Sequence, residues 1–180
     1  MADAGVQIAT AADLQEIVRI HRETWRLAYA ELLPKDVLDT LDADEAWSLA
    51  VHSGAVLKAT EGEWTVGFVV ASKAPEEEVA KADGSLPDDA DTTALVSVLV
   101  EPRWGRRGHG TRLVAEAGKR LQETGASRGI AWIPEADKAS KSFYERLGWT
   151  GDGTVRTLDA GGRPLREIRV SGELAVRLDL

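Results

Sequence analysis

Thr93–Glu123 reads TALVSVLVEPRWGRRGHGTRLVAEAGKRLQE. It opens on an apolar run, Ala94 to Val100, that Pro102 brings to an end. A turn rich in glycine and arginine follows, from Gly105 to Gly110. Leu113, Val114, Ala117 and Leu121 then recur at helical spacing, so a helix should run to about Gly125. A strand, a tight turn and a helix are therefore expected in succession. Glycines let the backbone point several N–H groups into one hollow, and the helix start adds its own unpaired N–H groups. Such a hollow prefers phosphate. Arg103, Arg106, Arg107 and Arg112 sit on the same stretch. We read it as the seat of the pyrophosphate of a nucleotide-like cofactor. Neither GxxxxGK[ST] nor GxGxxG occurs, so it is neither a Walker loop nor the dinucleotide fingerprint.

One hundred and eighty residues suffice for a single domain, 1–180, with a hydrophobic core. The formal net charge is −8, from 22 basic and 30 acidic residues. That balance argues against a general nucleic-acid partner, which shows a basic face, but it allows a local basic pocket. Without cysteine there are no disulfides, thiolate metal sites or cysteine nucleophiles. His21, His52 and His109 form no ligand motif, and no metal is expected. No secretory signal and no apolar run of membrane-spanning length is visible, so a soluble cytoplasmic protein is expected.

Val6 to Ala9 reads as a first strand. Thr10 or Asp13 can cap the next helix, and Asp13 followed by Glu16 fits a capping box for an amphipathic helix from Asp13 to about Ala30. That helix carries Leu14, Ile17, Val18, His21, Trp25 and Ala28 on its apolar side. His21 there is either a packed histidine donating to a backbone carbonyl or a catalytic group. Trp25 and Tyr29 share a helix face and either pack in the core or line a pocket. Pro34 starts a short helical piece ending near Leu41, and Asp42 or Asp44 can cap another reaching Val51. Ala55–Glu61 and Trp64–Ser72 form a hairpin around Glu61-Gly62-Glu63. Lys73 to Asp91, with Glu76 to Glu78, Asp83, Asp88 and Asp89, reads as a mobile acidic loop or an acidic lip that attracts basic ligands. The Ala94–Val100 strand should be central and buried on both faces. Gly129 to Ile133 is the next strand. Asp137 caps a helix that Gly148 closes. Thr154–Leu158 and Leu165–Val170 form a terminal hairpin around Ala160 to Arg163. Gly172 weakens the strand beyond Val170, although Leu174, Val176 and Leu178 alternate.

The run Arg106-Arg107-Gly108-His109-Gly110, after an apolar strand and Pro102, resembles the acyl-CoA-binding motif of the GNAT family of N-acetyltransferases. The family pattern is Gln/Arg-x-x-Gly-x-Gly/Ala. Gly108 and Gly110 match it, and Gly105 replaces the leading Gln or Arg. A second family signature follows: Asn, then Ala, then Phe-Tyr-Glu-x-x-Gly-Phe. Here Ala139, Tyr144, Glu145 and Gly148 match, Trp149 stands for the last Phe, and Asp137 replaces Asn. The resemblance extends from Val6 to the last hairpin.

The resemblance implies an α/β fold of the acyl-CoA N-acyltransferase type. Its central sheet is mixed and mostly antiparallel, with a splayed parallel pair of strands four and five and helices on both faces. It implies acetyl-CoA as cofactor and an N-acetyltransferase acting on a primary amine of a small molecule or peptide, by direct attack in a ternary complex. The pantetheine arm would pair with the backbone of Val98, Leu99 and Val100, and a backbone N–H near Val98 would stabilise the charge that grows on the thioester oxygen. Gly105, Arg106, Arg107, Gly108, His109, Gly110 and Thr111 would hold the phosphates. Asp137 stands where the family Asn contacts the pantetheine arm of the cofactor; it lacks the amide donor, so that contact is lost or served by water. Tyr144 would be the general acid that protonates the leaving thiolate. His109 is expected to serve through its N–H with its side chain outward, or to touch a phosphate with its imidazole, and Trp104 to cover the cofactor or the helix end. Ser97, Glu101, Asp91 and Glu135 lie where a base could act, and an ordered water relay accounts for the chemistry equally well, so no base is assigned. The first helices would cover the acceptor side, where Glu23, Glu31 and Asp36 can greet a cationic amine. Exposed strand edges and the terminal hairpin, with the resemblance, imply a homodimer. The alternative is a non-catalytic acyl-CoA-binding or regulatory protein on the same fold.

Overall fold

A computed structural model of the chain describes residues 3–40 and 44–176. Seven strands form one mixed sheet in the order β1-β2-β3-β4-β5-β7-β6, with helices flanking it. The strands are β1 Ala4–Ile8, β2 Val56–Glu61, β3 Trp64–Lys73, β4 Thr93–Val100, β5 Arg128–Pro134, β6 Thr150–Ala160 and β7 Arg163–Glu173. The helices are α1 Leu14–Ala28, α2 Lys35–Asp39, α3 Asp44–His52, α4 Glu76–Val79, α5 His109–Glu123 and α6 Lys138–Arg146. The expected ends at Leu41, Asp42 and Leu178, and the side chain of Asp44, fall outside the described residues. The chain packs as two compact units. One holds everything before Ala71 with Val98–Leu113 and Ala160–Arg163; the other holds Ala71–Ser97, Val114–Asp159 and the chain from Pro164.

In the first unit, β1 pairs antiparallel with β2, and β2 with β3. Ile17 and Ile20 of α1 are fully buried against Val56 and Phe68 of the hairpin and Val51 of α3. The capping box lies one turn earlier than the sequence suggests. The Asp13 carboxylate accepts from the backbone N–H of Thr10 at 2.8 Å, so Asp13 is the third residue of the box and not its cap. Its other oxygen takes Lys58 at 2.6 Å, which ties the helix start to β2.

In the second unit, the parallel ladder joins Thr93–Leu95 to Arg128–Ile130 and no further, while β4 runs on to Val100 and β5 to Pro134. The expected burial of β4 on both faces holds only for its first half. Ala94 and Val96 are buried, Ser97 is exposed, and Val98 to Val100 are half-buried. The expected loop at 73–91 is also more structured than its charge suggests. Pro75 precedes the single-turn α4, whose Val79 is buried with Ala74 against Ile130. Buried Arg169 donates to the carbonyls of Glu78 and Ala80 at 2.9 Å each and to Asp152 at 2.6 Å. Glu78 binds Arg156, and Asp89 binds Arg128. Glu78 and Asp89 are thus engaged by arginines of the same unit, while Glu76, Glu77, Asp83, Asp88 and Asp91 stay exposed.

Strand β7 extends past Val170 because Gly172 is required there. Gly129 of β5 and Gly172 of β7 are direct cross-strand partners. Together they leave a dent in the sheet that the fully buried Trp149 indole fills. A Cβ on Gly129 would lie 2.2 Å from that ring, and one on Gly172 would lie 2.3 Å from it. The indole N–H donates to the carbonyl of Glu173 at 3.1 Å. In an ordinary strand, alanine in place of glycine is favourable or neutral. Here Gly172→Ala should instead destabilise by about 1–3 kcal/mol through overpacking. Urea unfolding of the variant tests this, and Trp149→Phe in the same background should recover part of the loss.

Candidate active site

The turn between β4 and α5 lies in the first unit. Glu101 leaves the sheet with its N–H on the carbonyl of Val66 at 2.9 Å, and Pro102–Trp104 make one 3-10 turn. Gly105 is drawn into that turn, because its N–H donates to the Pro102 carbonyl at 3.0 Å. Its backbone donor is thus spent on shaping the turn. Next, Arg106 has a φ of 63° and Gly108 a φ of 81°. Arg106 is the one non-glycine with positive φ among the described residues. A left-handed arginine costs about 1–2 kcal/mol, and strain of that kind concentrates at binding sites.

Helix α5 starts at His109, and its first turn closes when Arg112 donates to the Gly108 carbonyl at 3.0 Å. The N–H groups of His109, Gly110 and Thr111 come before that bond, so the helix itself offers them no acceptor. They sit at the positive end of the helix dipole. The exposed guanidinium of Arg106 pairs with no carboxylate among the described residues. Arg112 lies beside Gly108 and donates to the Arg107 carbonyl at 3.3 Å. Three backbone donors and these two cations suit a dianionic group, and a pyrophosphate fits them chemically.

His109 departs from expectation. Its imidazole points inward, is 2 % exposed, and lies 2.7 Å from Oε2 of Glu61. The other oxygen of Glu61 accepts from Arg107 at 2.8 Å. The His109 hydrogen bond, with Arg107 beside it, holds the Glu61 carboxyl below its ordinary 4.5. An ionised carboxylate only accepts, so Nε2 of His109 carries the hydrogen. Trp104 is half-buried. Its ring carries the guanidinium of Arg107 at 4.9 Å and that of Arg103 at 5.7 Å.

Among the base candidates, Glu101 is buried. Arg103 at 3.0 Å and Arg19 at 3.3 Å share its Oε1, while its Oε2 has no hydrogen-bond partner. Glu23 is engaged by Arg19 at 2.8 Å. His21, Trp25, Tyr29, Trp47 and Phe68 make a chain of ring contacts at 4.9–5.3 Å. The His21 ring is thus packed among aromatics, and its buried Nδ1 has no hydrogen-bond partner.

Asp137 and Tyr144 belong to the second unit. The Asp137 carboxylate caps α6, accepting from the Ser140 N–H at 3.0 Å and the Ser140 hydroxyl at 2.7 Å. The buried Tyr144 ring stacks on Trp149 at 5.4 Å and meets Phe143 edge-on at 5.1 Å. The two-glycine dent beneath Trp149 thereby sets the place of Tyr144.

These features agree with what the chain is similar to. Residues 14–149 match the profile of the Acetyltransferase (GNAT) family, and the chain belongs to that family. Over 144 residues it is 28 % identical to the uncharacterized N-acetyltransferase YuaI of Bacillus subtilis (strain 168), covering 78 % of this chain and 76 % of YuaI. The PaiA N-acetyltransferase of Thermoplasma acidophilum, solved in complex with coenzyme A, superposes with a TM-score of 0.70 at 16 % identity, over 92 % of this chain and 98 % of that one. The phosphinothricin acetyltransferase (Pat) of Sinorhizobium meliloti, solved in complex with AcCoA, gives 0.70 at 21 % identity, over 94 % and 88 %. At these identities the two structures establish the shared fold.

Burial holds the His21 imidazole below its ordinary 6.5, with the nearby Arg22 charge acting in the same direction. Below pH 6.5 the unfolded chain therefore takes up this proton first. The stability due to His21 is complete above that pH and declines as the pH falls toward the folded value. Histidine titration by NMR should put His21 below 6.5, and a midpoint at or above 6.5 would contradict the packing described.

Proposed function

We propose that this chain moves an acetyl group from acetyl-CoA to a primary amine of a small molecule or peptide, by direct attack in a ternary complex. The observation that carries this reading is the turn before α5, where three helix-start N–H groups, a strained Arg106 and Gly108 stand ready for an anion within a GNAT-family chain. The coenzyme A and AcCoA complexes of the two similar structures support the choice of ligand. When bound, acetyl-CoA supplies an activated acyl thioester.

The protein's own residues do the rest. His109, Gly110 and Thr111 donate backbone N–H groups to the phosphates, and Arg106 and Arg112 add charge. Gly105 and Gly108 shape the turn. Val98, Leu99 and Val100 lie beyond the residues that pair β4 with β5, so their polar backbone groups on that side serve the amides of the pantetheine arm. An N–H near Val98 stabilises the oxyanion that develops during attack. Holding amine and thioester together supplies most of the rate. Tyr144 gives its phenolic proton to the departing sulfur; a phenol stays protonated at pH 7 and is a competent donor. Asp137 acts by capping the helix that carries Tyr144. No single base is assigned to the amine.

Thiol release from acetyl-CoA over a panel of amines tests the reading. Turnover on at least one amine is expected, whereas saturable acetyl-CoA binding without turnover on any amine would favour a non-catalytic binding protein. With an active amine in hand, Tyr144→Phe should lower kcat about a hundredfold with little change in the KM for acetyl-CoA. An unchanged kcat would remove Tyr144 from its role.

A further inference from the structure

Glu61 ends β2, and its backbone is held on both sides. It lies opposite Ala4 of β1 and Trp64 of β3, and the next residue, Gly62, donates to the Asp3 carbonyl at 2.9 Å. Its side chain is 15 % exposed. From this fixed point one oxygen takes Arg107 at 2.8 Å and the other takes His109 at 2.7 Å. Those two residues flank Gly108, the left-handed glycine of the turn. One carboxylate from 46 and 48 residues away in the chain therefore grips the turn on either side of its sharpest bend.

A turn that combines a left-handed arginine, a left-handed glycine and a helix start is strained and does not keep its shape unaided. Ligand affinity depends on how much of that shape exists before binding, because ordering a loop consumes part of the binding free energy. We propose that Glu61 is a positioning residue for the cofactor's phosphates: by holding Arg107 and His109 together, it keeps the turn before α5 in its anion-receiving shape while no ligand is present. This rests on reading that turn as the pyrophosphate seat. Arg107, neutralised by Glu61 and stacked on Trp104, is then a part of the scaffold, and the direct charge on the phosphates comes from Arg106 and Arg112.

The full chain and its Glu61→Gln variant are titrated with three probes: acetyl-CoA by calorimetry, and 3′-phosphoadenosine 5′-diphosphate and S-acetylpantetheine by NMR. Glutamine fills the same space but cannot accept from both partners and repels the guanidinium. The affinity for acetyl-CoA and for the nucleotide should fall about tenfold, as expected for loss of charge-assisted bonds, while that for S-acetylpantetheine, which lacks the diphosphate, stays the same. Equal affinity of variant and wild type for acetyl-CoA would overturn the proposal. So would an equal loss for all three probes, which marks a purely structural role. Should the glutamine variant not fold, Glu61→Asp keeps the charge but falls one methylene short, and the same selective loss is expected. Failure of the wild type itself to bind acetyl-CoA would instead overturn the phosphate reading on which this rests.

Discussion

An α-helix begins with N–H groups that no carbonyl of the same helix can reach, and α5 presents them directly after a turn bent through two left-handed residues. The backbone cannot satisfy this arrangement from within, so it needs either water or an anion. The surrounding side chains are disposed accordingly. Glu61 and Glu101 restrain Arg107 and Arg103, while Arg106 keeps an exposed charge on the strained residue itself. In a chain of net charge −8, a polyanionic ligand is not drawn in by the long-range field. Its binding has to come from short-range donors, which is what a preformed hollow of N–H groups offers.

The second unit works by packing. Two facing glycines remove the side chains from one spot of the β5–β7 ladder. The Trp149 indole occupies that spot, its N–H satisfied by a strand carbonyl, and Tyr144 stacks upon it. The tyrosine is therefore placed by a rigid stack, and α6 is held at its start by the Asp137 cap. In the general-acid role proposed for Tyr144, such restraint matters, since a displacement of about 1 Å can cost two orders of magnitude in rate.

Much of this was legible in local sequence. The β4-turn-α5 segment was readable because a strand-length apolar run, a Pro, a glycine turn and a helical stripe follow one another, each with its own physical signal. Asp137 was readable as a cap for the same reason. What could not be read depends on distant partners. The inward turn of His109 is decided by Glu61, which no local pattern links to it. Gly172, taken alone, weakens a strand; only the register that sets it opposite Gly129, and the indole above, reveals its use. The three glutamates at 76–78 suggested a solvated loop, yet Val79 buries itself and Arg169 holds the adjoining carbonyls. The Leu-Val pattern of β4 suggested two buried faces, whereas its second half lies past the residues that pair with β5 and is only half-buried or exposed.

The central claim is that main-chain donors at the start of α5 receive the phosphates of acetyl-CoA. Backbone amide NMR during titration with coenzyme A tests it most directly. The account predicts that the amides of His109, Gly110 and Thr111 move strongly downfield and saturate together with the ligand. Saturable binding that shifts amides elsewhere and leaves these three in place would contradict it.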